Sequence, residues 1–256
     1  MNVSKTKSTP RPWPIFRPIL RLSQRVWLAR LVILAVHLIV LGGGYRCVLR
    51  IAEARGISMW DSSSWIDYWI PPTPWAFWVY ATLYLYFPVT MLLTPRTRAG
   101  LRALLLHLQA QVLLSLLTWT VFLVCPTEIH IRQQMESAIS ASTPVLQEAY
   151  KGLYMLDARW NAWPSLHVSL SLLMLLACTH FTTRAGDRHG MWSRGTGDRR
   201  MIVVGTVAWV ALCWSILATK QHFFFDLWTG ALAGLATWVV YLRPRLLSLG
   251  QRAQDA

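Results

Sequence analysis

Long apolar stretches separated by short polar ones set the rhythm of the chain. Six stretches approach the roughly 20 apolar residues that a helix needs to cross a bilayer core. They run over about 26–45, 75–93, 103–125, 164–183, 201–219 and 222–242. The pattern predicts an all-α, polytopic membrane protein with a six-helix transmembrane bundle over residues 26–242. Residues 1–25 read as a basic tail and 243–256 as a second tail. A basic stretch precedes the first apolar run, but no small-residue cleavage site follows it, so this run is expected to be a retained span.

Composition sharpens this picture. Of the 256 residues, 54% are hydrophobic and only 14% are charged, where a soluble domain carries roughly a quarter charged residues. The net charge of +14 could by itself point to nucleic acid. The placement of the charge argues otherwise: 18 of the 25 lysines and arginines fall in alternate connections, namely the N-terminal tail, 94–102, 184–200 and the C-terminal tail. The positive-inside rule then places both termini in the cytoplasm, with no nucleic-acid partner. The compact form suits a plasma (inner) membrane. The 184–200 link reads as a solvated cytoplasmic loop. The segment 57–78, rich in tryptophan and serine, reads as an interfacial anchor on the outer side, in preference to a device that admits a lipid. The cysteines at 47, 125, 178 and 213 form no metal-ligand spacing and read as small buried hydrophobes; a disulfide between Cys47 and Cys125 is not argued for.

The polar residues that remain in or beside the spans are few. The fourth span opens with Pro164, Ser165 and His167; the sixth opens with His222, followed four residues later by Asp226. Both starts fall on one membrane face, the outer one in this orientation. The third and fifth spans end on that face and deliver Arg132 and Lys220. Two helix N-termini and two cations there make an anion site. An intramembrane carboxylate is costly unless partnered and marks function by default.

The residue types suit phosphoryl transfer. A neutral imidazole, its tautomer held by a carboxylate, can attack phosphorus; His222 with Asp226 fits. His167 can protonate the leaving alkoxide. Arg132 and Lys220 can neutralise phosphate oxygens. The scheme needs no metal and no cofactor. A lone histidine at a span end is more often a simple interfacial residue, and an isolated His-x-x-x-Asp pair can be a structural bond. His37 and His107 lie inside spans with no obvious partner in the sequence and are assigned no role; His180, near the cytoplasmic end of the fourth span, is also left unassigned.

Here the sequence resembles the type 2 phosphatidic acid phosphatase superfamily, six-span enzymes acting on lipid phosphates. The family's Pro-Ser-x-His motif matches Pro164 to His167, and "LDARWNAWPSLHVS" resembles the branch containing the inositol phosphorylceramide synthases. The third motif's spacing is kept by Ser215, His222 and Asp226. The resemblance implies that His222 is the nucleophile, Asp226 its partner and His167 the acid, with Ser165 on the phosphate oxygens and Ser215 in support. The chain departs from the family at Ile216, where arginine is usual, and Lys220 is expected to supply that charge. It departs again in the first motif, where Arg132 precedes Gln133 and Cys125 stands at the lysine position; Lys151 is a candidate replacement.

The expected activity is a membrane lipid phosphatase working through a phosphohistidine at the extracytoplasmic face, with membrane lipids as its surroundings. The alternative is a head-group phosphotransferase, and from another class a transporter or scaffold with a decayed site. The identity of the lipid is beyond the sequence.

Overall fold

The structure, a computed structural model, describes residues 10–183 and 198–254. It is all-helical over these residues. The expectation for the 184–200 link falls mostly on residues 184–197, which lie outside the described residues. Eight helices carry the description below: α1 Val26–Arg55, α2 Trp65–Trp69, α3 Pro74–Leu93, α4 Arg98–Val124, α5 Pro144–Leu156, α6 Leu166–Thr183, α7 Asp198–Ala218 and α8 Phe224–Gly250.

Five of these, α1, α3, α4, α7 and α8, are long and apolar enough to cross a membrane. The sixth expected span is α6, which is apolar but shorter because Pro164 and Ser165 lie outside the helix. In two places the helices outrun the expected limits. α1 continues past Tyr45 to Arg55 and contains a π-helical turn at Leu38–Gly43. The last helix runs through the expected tail, burying Leu246 and Leu249 against α4 and α6. The N-terminal segment is also less free than a tail: short helices over residues 14–24 bury Phe16 and Ile19 in the core that α1 and α4 share. All four cysteines are free.

α4 is the central pillar. It buries the polar His107, Gln109, Gln111 and Ser115 as well as Leu104, Leu105 and Leu108. Such groups are tolerated at membrane depth when they find each other. Nδ1 of His37 lies 3.1 Å from Oε1 of Gln111, whose Nε2 is 3.4 Å from His107. His37 also stacks on Phe87 at 3.7 Å between ring centroids. These histidines tie α1, α3 and α4 together. The outward surfaces are apolar: Ile39, Leu117 and Val240 are each more than two-thirds exposed.

α6 packs against α3, α4, α7 and, most extensively, α8. Small residues set the α6–α8 distance. A Cβ on Gly230 would lie 2.5 Å from the Ser165 carbonyl oxygen, and one on Gly234 2.6 Å from that of Ser169. A Gly-x-x-x-Gly stripe lets backbones approach closely where no side chain intervenes. At this spacing the amide of Ser165 donates to the Asp226 carbonyl at 3.1 Å. The connections 56–73, 126–165 and 219–223 all gather at this end of the bundle, joined by bonds such as Thr73 N–H to Ala218 O and Ala162 N–H to Thr127 O.

Candidate active site

His167 lies in the first turn of α6 and His222 in the turn that precedes α8. Nδ1 of His167 is 3.0 Å from Nε2 of His222. The neighbours assign the protons. Nδ1 of His222 is 2.8 Å from the Ala162 carbonyl oxygen and 3.6 Å from Oδ2 of Asp226. Both of those oxygens accept, so this nitrogen carries the hydrogen and Nε2 keeps its lone pair. His167 therefore donates from Nδ1 to His222, and its Nε2 accepts from the Tyr80 hydroxyl at 3.1 Å. The chain Tyr80, His167, His222 ends on a carbonyl and a carboxylate.

The four-residue spacing of His222 and Asp226 is not a contact along one helix. His222 precedes the helix, which begins at Phe224 with Phe223 as its cap residue. Asp226, at the third helical position, reaches back and accepts the Phe223 N–H at 2.9 Å, as an acidic residue does in half of a capping box. The cap holds the turn that presents His222, and the Ala162 carbonyl shares the imidazole N–H with the carboxylate. His222 and Asp226 are almost wholly buried.

Arg132 reaches the same end of the bundle but is engaged by another acid. Its guanidinium donates to the backbone carbonyl of Asp157 at 2.7 Å and to Oδ2 at 3.4 Å. Asp157 was not among the sequence candidates, and it is the hub of the site's second network. Oδ1 accepts from the Tyr45 hydroxyl at 2.5 Å and from Nδ2 of Asn161 at 2.8 Å. That Asn161 amide also donates to Tyr45. Burial raises the Asp157 carboxyl, but His167, Arg132 and the Tyr45 bond outweigh it and hold the group below the usual carboxylate value. The one available signal was its place ten residues before His167, at the head of an apolar run. Tyr45, Tyr80 and Asn161 gave none, since Tyr45 meets its acid 112 positions away.

Lys220 corrects the expectation of a phosphate-binding cation. Its Nζ is fully buried and donates to the carbonyl oxygens of Asp67 and Ile70, each at 2.6 Å. Burial pulls the ammonium below the ordinary lysine value, opposed by Asp67. Lys220 also adopts a left-handed backbone, φ 55°, at a cost of roughly 1–2 kcal/mol. Asp67 completes a clamp: its Oδ1 accepts the first N–H of α8 from Phe224 at 2.6 Å, and its Oδ2 accepts from Ser64. Through Asp67 and Ile70, segment 57–73 caps the helix that carries the site.

The two serines serve the backbone. Ser165 Oγ accepts the Val168 N–H at 3.4 Å, as the cap of α6. Ser215 Oγ donates to the Leu212 carbonyl at 2.7 Å, and its own carbonyl accepts from Thr219. Lys151 is exposed on α5 and pairs with Glu148, so it does not replace a site lysine. Among the described residues no group of three His, Cys, Asp or Glu side chains could hold a metal ion.

Two of the cavities at this end hold candidate site residues. One of about 540 Å³ includes His167, Asp157, Tyr45 and Tyr80 and continues between α1, α3 and α6. The other, about 200 Å³, is polar and includes Arg132, His130, Glu136 and Arg159.

The sequence model of the PAP2 superfamily matches residues 99–246, more than half of the chain. That span holds both histidines, Asp157 and Asp226, and leaves α1, α2 and α3 outside. No curated protein and no solved structure matches the chain.

Proposed function

The chain belongs to the PAP2 superfamily, and from that premise we propose that it is a membrane phosphatase for a lipid phosphate monoester or diphosphate, working at the extracytoplasmic face. The observation that carries this reading is the His167–His222 pair at 3.0 Å with the His222 Nδ1–H already held. The Nε2 lone pair of His222 attacks phosphorus, and the bond from phosphorus to the lipid oxygen breaks. A protonated His167 gives its proton to the departing oxygen. Water, deprotonated by His167, then attacks the phosphohistidine, releases phosphate and restores both imidazoles. Arg132 supplies positive charge for the phosphate oxygens from its place beside Asp157; Ser165 holds the helix start against which the phosphate sits.

A second reading, transfer of the phosphoryl group or head group to another lipid's alcohol or a polyol, is favoured by the polar cavity beside Arg132. Its mixture of Arg159, Glu136 and His130 suits a hydroxyl-rich acceptor. Both readings share the covalent step.

Purified protein offered a panel of lipid phosphates, with and without polyol acceptors, tests both. Free phosphate is expected without acceptor, and new lipid species on addition of a polyol would favour the second reading. His167→Ala is expected to slow turnover about 10²–10⁴-fold. His222→Ala is expected to abolish turnover and the acid-labile phosphoprotein seen on rapid quench. Unchanged turnover in His222→Ala would refute the mechanism.

A further inference from the structure

The larger cavity is polar at one end only. Tyr45, Arg46, Asp157 and His167 stand at the end where the connections gather, and below them the walls are Leu34, Leu41, Phe87, Leu170 and Met174 with His37, which is already engaged by Gln111. Along α1 the cavity extends from Arg46 to Leu34. At 1.5 Å per residue that is about 18 Å, close to one leaflet of a hydrocarbon core of roughly 30 Å. Its flank is open: Leu38 is 60% and Tyr84 62% exposed. A chain in the surrounding leaflet could slide in sideways while its phosphate stays level with His167.

We infer that this groove holds the hydrocarbon chain of the substrate lipid, inserted between α1 and α3 with its head at His167, an inference that rests on the phosphatase reading. The continuity of the apolar walls with the candidate acid commits the groove to the substrate itself. The walls contributed by α1 and α3 lie outside the region matched to the superfamily, while those of α6, Leu170 and Met174, lie within it.

Gly42 makes this testable. It lies in the π-helical turn of α1 and borders the groove. A Cβ there would meet nothing within 4 Å, whereas one on Gly44 would lie 2.5 Å from the Trp119 ring. Position 42 can therefore carry a side chain without disturbing the packing, and that side chain takes up groove space. The series Gly42→Ala, Gly42→Leu and Gly42→Phe would be assayed on short-chain and long-chain phosphatidic acids in mixed micelles. The ratio of long-chain to short-chain kcat/KM is expected to fall stepwise along the series. For Gly42→Phe the fall should reach about tenfold, the loss when roughly two methylenes forfeit their burial. A ratio that stays at the wild-type value, whether or not both rates drop together, would overturn the groove assignment. A second measurement is independent of the variants. A phosphatidic acid carrying a diazirine at the far end of its chain, photolysed on the wild-type protein, should mark peptides from α1 and α3 around Leu34 and Phe87. Marking confined to helices other than α1, α3 and α6 would also overturn it. No phosphate release by wild type from either chain length would instead sink the phosphatase reading, and the photolabelling would then decide the groove alone.

Discussion

At Asp157 three residues, Tyr45, Arg132 and Asn161, meet one carboxylate. Arg132 and Asp157 are both buried, so neither can lose its partner cheaply. Removing one side of such a pair costs about 3–5 kcal/mol, because a bare charge is left in a poor solvent. Arg132→Ala and Asp157→Ala should each destabilise on this scale, while the double variant should fall well short of the sum, a coupling of about 0.5–3 kcal/mol. Thermal unfolding in detergent reads this cycle; strict additivity would mean that the contact contributes nothing. The pH dependence has a definite sign. The folded state holds the Asp157 carboxyl below its ordinary value, which is about 3.9 in an unfolded chain. Between those two values the unfolded chain binds the proton that the folded one has released, so stability rises with pH. The contribution is complete above the unfolded value and is lost as pH falls through the folded one; in Asp157→Ala this part of the acid limb should flatten. At this scale the sequence was partly legible. His167 and His222 stood out because polar groups at the head of apolar runs are costly. Lys220 misled because a cation two residues from a histidine looks like an anion ligand, until a left-handed turn aims it at the Asp67 and Ile70 carbonyls.

Among the elements, the α6–α8 contact decides whether there is a site at all. His167 and His222 approach because Gly230 and Gly234 let α8 rest directly on the Ser165 and Ser169 carbonyls. Gly230→Ala would place a methyl 2.5 Å from a backbone oxygen, a separation that real Cβ atoms do not show. The helices must part by a fraction of an ångström or more, and the imidazoles with them. Turnover is expected to drop by about 10²-fold, as happens when reacting groups are misplaced by an ångström, with the melting temperature also lowered. The same substitution at Gly43, which is exposed and where a Cβ would meet nothing within 4 Å, should leave turnover within about twofold, since an exposed substitution away from strain costs little. Equal effects at the two positions would contradict this account. The stripe was present in the letters "GALAG", but its register is meaningful only once the partner helix is known.

Across the whole molecule, the polar chemistry is collected at the end where the long connections lie, and the basic residues favour the opposite end. Arg30 donates to the Thr94 carbonyl there, and Arg96 lies over the Trp27 ring at 4.7 Å. We propose, on the positive-inside rule, that the site faces outward. In a protein with its own cysteines replaced, Lys151→Cys on α5 is expected to react with a membrane-impermeant maleimide on intact cells. Arg96→Cys should react only after permeabilisation. The reverse pattern would invert the proposed face and move the chemistry to the cytoplasm.

The sequence by itself determined that the chain is helical, apolar enough for a bilayer, and equipped with two histidines and an aspartate at the heads of two apolar runs. These follow from local facts: run length, residue type and spacing, which the bilayer reads one segment at a time. Only the tertiary structure decided which cation meets which acid, that α2 clamps the start of α8 through Asp67 and Lys220, and that a groove descends between α1 and α3. Those depend on contacts between residues as much as 157 positions apart. Such contacts are fixed by how closely helices can pack, through glycines whose effect has no meaning until the opposing backbone is in place.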